Sequence, residues 1–103
     1  MDDLALIIDK YADDVLRACV HYLGNMADAE SAFEDVFLEA NRQGLLSRST
    51  DIFPDLLYIT RKVCIADTIR DDNEEKFLQN FFGITKNEAE YVMGYKQKLA
   101  INY

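Results

Sequence analysis

Residues 52–70 read IFPDLLYITRKVCIADTIR. The helix that this stretch predicts carries apolar side chains on most of its faces: Phe53, Leu56, Leu57, Ile59, Val63, Ile65, Ala66 and Ile69. Such a helix is stable only when neighbours cover it, so it belongs at the centre of a helical assembly, between the segments before and after it. Asp51 is placed to cap its start. Pro54, the only proline, falls in the first turn, where a backbone N–H has no helical partner to lose. The polar exceptions Tyr58, Arg61, Lys62 and Asp67 are the positions to watch.

Working toward the N-terminus, Leu4, Ile7, Ile8, Tyr11, Val15, Ala18 and Tyr22 recur at the spacing of an amphipathic helix over residues 3–23. Gly24 stands where a left-handed cap suits glycine best. Asn25 is then the N-cap of a second helix that reaches Arg42, with Asp28 near its positive end. Ala29, Ala32, Phe33, Val36, Phe37 and Ala40 form its apolar face, and Glu30, Glu34, Asp35 and Glu39 its acidic one. Gly44 closes it, and residues 44–51 read as a loop. Toward the C-terminus, residues 71–76 form a charged break, either a linker or the solvated start of a fourth helix. A short helix follows over residues 76–82. Thr85 and Glu88 then match a capping box for a last helix ending at Gly94, and the final nine residues have room for two more turns. No strand alternation or internal repeat is visible, and the expected class is all-α.

The chain has 103 residues and a net charge of −8. Residues 1–50 carry −6, residues 51–75 carry −4 and residues 76–103 carry +2. That balance excludes a strongly basic nucleic-acid binder as an overall description, while a local basic face remains compatible with it. No apolar run approaches the roughly 18 residues of a membrane span, and a cytoplasmic protein without membrane contact is expected. Cys19 and Cys64 lack CxxC spacing and sit in apolar helical patterns, which suits reduced, packed thiols better than a disulfide. Enzymatic patterns are absent from the sequence. The single histidine, His21, has no acidic partner at triad or ligand spacing, the glycines are isolated, and there are no Glu-x-x-His pairs. Neither catalysis nor a cofactor or metal is expected. What remains is recognition by helical surfaces: the acidic face of the second helix, and the group Tyr58, Arg61, Lys62 and Arg70. Aromatic and basic groups together can stack on unpaired bases and hold phosphates, or they can be a packed tyrosine beside snorkelling cations.

The order of several short motifs resembles region 2 of bacterial sigma factors of the extracytoplasmic-function type. These are YADDVLR at 11–17, LGN at 23–25, DAE at 28–30, VFLEA at 36–40, LYI at 57–59, IAD at 65–67 and IR at 69–70. The resemblance implies a region 2-like helical bundle over residues 1–72. Its second helix would bind the clamp helices of the RNA polymerase β′ subunit through Asp28, Glu30, Ser31, Glu34, Asp35 and Glu39. The same resemblance assigns recognition of the promoter −10 element to a base-capturing loop at Ser47, Arg48 and Ser49, and to a DNA-facing helix bearing Tyr58, Arg61, Lys62 and Arg70. Residues 73–103 resemble a truncated region 4, with Lys96, Gln97 and Lys98 opening what would be its recognition helix. A short helical hairpin packed on region 2 is the other expectation for that segment. Leu56 stands where the family commonly has tryptophan, Val63 where it has asparagine, and Glu34 where it has glutamine. Asp71 and Asp72 replace arginines. These departures weaken DNA contact more than polymerase contact. Two functions follow: a sigma-like initiation factor, or a protein-binding module without promoter reading of its own. The second would work beside a complementary region 4 subunit or as a degenerate regulator. An anti-sigma factor is a further implied partner.

Overall fold

The computed structural model describes residues 2–48, 51–65 and 72–94, with side chains from residue 5 onward in the first stretch and from residue 73 onward in the third. Every regular element among them is helical: α1 Asp2–Leu23, α2 Met26–Arg42, a single 3-10 turn Leu45–Ser47, α3 Phe53–Ile65, α4 Asp72–Phe82 and α5 Lys86–Val92. Among the described residues no helix is long and apolar enough to cross a membrane.

The chain reverses between α1 and α2 at Gly24, whose φ of 83° lies in the left-handed region with open space where a Cβ would stand. Glycine is therefore required there by backbone sign rather than by room. Asn25 then starts α2 from extended backbone. Its Oδ1 accepts from the Asp28 N–H at 2.8 Å, and its Nδ2 donates to the Asp28 carboxylate at 2.9 Å. Residues 44–51, expected as plain loop, instead contain the 3-10 turn, which buries Leu45 and Leu46. At α3 the Asp51 carboxylate accepts from the Phe53 N–H at 3.1 Å, as the sequence suggested.

Of the two expectations for residues 71–76, the start of a fourth helix is the one formed, and its solvation is corrected at Glu74. Helix α4 begins at Asp72, and Glu74, far from being a solvated residue, is buried. Acidic residues in a first turn are favoured by the helix dipole, and Glu74 has partners in other helices, described below. Both arms of the capping box on α5 are formed, at 3.1 Å and 2.9 Å. Lys86 ties α5 back to α4 through Glu75 at 2.9 Å.

Two buried clusters hold the helices together. The first draws Val15 and Cys19 from α1, Ala29, Ala32, Val36 and Ala40 from α2, and Leu56 and Ile59 from α3. The small residues of α2 let it approach α1 and α3 closely. The second draws Ala18 from α1 and Leu57 from α3 onto Leu78, Ala89, Val92 and Met93 of the α4–α5 hairpin. Helices α1 and α3 contribute to both clusters from different faces. They form a middle layer with α2 on one side and the hairpin on the other. The second cluster thus joins residues on both sides of the expected boundary at residue 72.

Candidate functional site

The buried small residues of α2 face inward, so its opposite side is turned out. Asp28, Glu30, Ser31, Glu34 and Asp35 are all exposed. Asp28 is engaged with Asn25 at the cap. Glu39 is half-buried and takes hydrogen bonds from Arg42 Nε at 3.0 Å and Gln43 Nε2 at 2.7 Å. The Arg42 hydrogen bond, more than the one from Gln43, holds its carboxyl below the usual carboxylate range. Glu30, Glu34 and Asp35 make no ion pair with a described residue, so their charge faces outward undiminished.

Among these acids lies a residue that the sequence reading left out. Leu38 is 68% exposed and forms the crest between two grooves. One, of about 520 Å³, runs between α2 and α3 and is lined by Asp35, Glu39, Arg42, Tyr58 and Lys62. The other, of about 370 Å³, is lined by Ile8, Phe33, Glu34, Phe37 and Leu46. An apolar crest flanked by acids offers both shape and charge to a basic helical partner. The signal was in the sequence: a leucine one position before Glu39 on an otherwise polar helix face.

The residues that the resemblance assigns to DNA are only partly brought together. Tyr58 and Lys62 share one face of α3, with Lys62 Nζ 5.7 Å from the Tyr58 ring centroid. Tyr58 is half-buried and stacked on Tyr91 of α5 at 5.5 Å. Arg48 is exposed but pairs with Asp55 at 3.2 Å. The Ser47 hydroxyl donates to the Gly44 carbonyl at 3.0 Å. Arg61 departs from the expected surface altogether. It is 4% exposed, and its Nε and Nη2 donate to the two oxygens of Glu74 at 2.6 Å and 3.3 Å. A buried guanidinium held by a carboxylate has no donor geometry to offer a phosphate outside, and the partner that takes it, Glu74, sits in the segment read as a break. Ser49, Arg70, Lys96, Gln97 and Lys98 lie outside the described residues.

The second partner of Glu74 is the Tyr22 hydroxyl, and the Tyr91 hydroxyl donates to Asp55 in the same manner. Both phenols have pKa values above their ordinary 10.0. Burial is the larger cause in each, and the neighbouring carboxylate, which would repel a phenolate, is the next. The folded chain keeps these two protons where the unfolded chain releases them. The stabilisation is complete below pH 10 and declines as pH rises beyond it toward the folded-state values. Urea midpoints measured from about pH 9 to about pH 11 are expected to fall more steeply for the wild type than for the Tyr22→Phe/Tyr91→Phe variant. Equal slopes would show that these phenols are not held protonated.

His21 stacks its ring on Phe77 with centroids 3.6 Å apart. No protein-family model, no curated protein and no solved structure matches the chain.

Proposed function

We propose that this chain is a small sigma-like transcription factor that docks on the clamp helices of the RNA polymerase β′ subunit through the outer face of α2. The observation that carries the reading is the exposed ridge of Glu30, Glu34 and Asp35 around Leu38, with a groove on either side. Unpaired carboxylates attract a basic coiled coil and set its orientation, while the leucine supplies the apolar contact that holds it. The ordered sigma region 2 motifs point to the same helix.

Within that reading, a module that relies on another chain for promoter recognition is favoured over a self-sufficient −10 reader. Two of the cations assigned to DNA, Arg61 and Arg48, are held by Glu74 and Asp55. The Tyr58 ring, the natural stacking platform on α3, lies against Tyr91. That leaves Lys62 as the exposed cation of α3 among the described residues, too little positive charge for a single-strand track in a chain of net charge −8.

Gel-filtration co-elution with core RNA polymerase tests the proposal. The wild-type chain is expected to co-elute, and the Glu34→Lys/Asp35→Lys variant to lose at least about thirtyfold in affinity, roughly 2 kcal/mol. Both positions are exposed, so the variant should keep its fold by circular dichroism. A wild-type chain that fails to co-elute would overturn the docking assignment. Fluorescence anisotropy with a single-stranded −10 oligonucleotide separates the two forms of the reading, with binding by the isolated chain favouring the self-sufficient reader.

A further inference from the structure

The chain has two cysteines, Cys19 and Cys64, separated by most of its first two-thirds. The fold brings them to one place. Tyr11 of α1 stacks on Phe53 of α3 with ring centroids 5.7 Å apart. From that contact Cys19 lies eight residues further along α1 and Cys64 eleven residues further along α3, about 12 Å and about 16 Å of helix. The two helices run past each other in the same direction, and the cysteines lie within one helical turn of the same level, about 4 Å apart along the axis. A second contact fixes the same level: Tyr22, one turn beyond Cys19, and Arg61, one turn before Cys64, share the Glu74 carboxylate. Both cysteines belong to the cluster between α1, α2 and α3.

Their surroundings differ in the way that a reactive thiol and its resolving partner require. Cys19 is fully buried, whereas Cys64 is half-buried and can meet a small solute. Packed into the same cluster, the two thiols act on each other's protonation, so that they lose their protons as a pair rather than independently. The neighbouring Cys19 thiol lowers the pKa of the more accessible Cys64, while Cys64 together with burial raises that of Cys19.

We propose that Cys64 and Cys19 form a peroxide-responsive modification site, in which a small hydroperoxide oxidises Cys64 and Cys19 then closes an α1–α3 disulfide. The Cys64 thiolate attacks one peroxide oxygen, the O–O bond breaks, and the leaving hydroxide takes up a proton as water. Cys64 is thereby oxidised by two electrons to the sulfenic acid and the peroxide is reduced. The Cys19 sulfur then attacks the Cys64 sulfur. The S–S bond forms as the S–O bond breaks, and the departing hydroxide takes the Cys19 proton as a second water. The cross-link pins the helix bearing Tyr58 and Lys62 to α1 and leaves the outer face of α2 untouched, so this proposal stands or falls independently of polymerase docking.

The test is to expose the reduced full chain to hydrogen peroxide. The intact mass should fall by two hydrogen atoms, the free-thiol titre should drop from two per chain to none, and non-reducing digestion should recover a peptide joining Cys19 to Cys64. A dithiol reductant should reverse all three, and the oxidised chain should melt at a higher temperature. In Cys19→Ser, residue 64 should accumulate as a sulfenic acid trapped by dimedone. In Cys64→Ser, the buried Cys19 should oxidise at least about tenfold more slowly than Cys64 does in the wild type. The wild-type measurement needs no variant to fold. Both thiols remaining free would overturn the proposal, as would products confined to intermolecular dimers or to sulfinic acid without the internal cross-link.

Discussion

Replacing Glu74 with alanine is expected to destabilise the fold by about 3–5 kcal/mol, because it removes the carboxylate that meets the buried Arg61 guanidinium through two nitrogens. The two side chains are only 5% and 8% exposed, and the guanidinium meets both carboxylate oxygens. The Tyr22 hydroxyl loses its acceptor in the same substitution, which adds to the loss. For a domain of this size the melting temperature should fall by about 15–25 °C, a large share of the roughly 5–15 kcal/mol that such domains possess. Circular dichroism melts would read it directly. A loss below about 1 kcal/mol would mean that the pair behaves as a solvated surface bridge.

The size of that loss does not mean that the pair itself contributes so much. Desolvating both ions offsets most of their attraction, and a well-packed apolar replacement can do as well. Arg61→Met/Glu74→Leu, with Tyr22→Phe to remove the orphaned hydroxyl, should therefore recover most of the stability that Glu74→Ala loses. The pair specifies where α4 sits: an arginine buried on α3 requires the hairpin to be placed with Glu74 over it.

That network also marks where sequence reading stops. Elements governed by local chemistry were legible. The Asn25–Asp28 cap, the Thr85–Glu88 box, the glycine at 24 and the capping of α3 by Asp51 each involve residues within three positions of one another. The apolar α3 was legible as a central helix because its composition admits no other place. Glu74 was not, since DDNEE at 71–75 has the composition of a solvated break and only partners 13 and 52 residues away make one of its acids a core residue. The misplacement of Arg61 is the same error seen from its other end, because a cation on a helix reads as surface until its partner is known. That Cys19 and Cys64 fall into one cluster was hidden for a like reason, for it depends on the relative register of α1 and α3. Leu38 was not legible as a crest, because whether a lone leucine on an acidic helix face is covered depends on neighbours distant in sequence. For the α2 ridge, the acidic positions were all visible beforehand, and the grooves on either side were not.

Leu78→Ala is expected to cost about 2–5 kcal/mol, the range for deleting a fully buried leucine side chain, and the way the loss is distributed matters more than its size. Leu78 is completely buried and packs in one cluster with Ala18 of α1, Leu57 of α3 and Ala89, Val92 and Met93 of the α5 end. If that cluster is continuous in energy as it is in space, weakening it from α4 must weaken α1 and α3 as well. Amide exchange should then rise in all of them together, and thermal unfolding should remain a single transition at a lower temperature. An independent C-terminal unit, as the division at residue 72 implied, would behave otherwise. Exchange would quicken in α4 and α5 alone, α1 to α3 would keep their protection, and the melt would split in two. The single transition is the expected result, because Leu57 and Ala18 have their covering atoms in the hairpin. A middle layer that loses the cover on one face cannot hold its other face unchanged, since α1 and α3 are the same two rods in both.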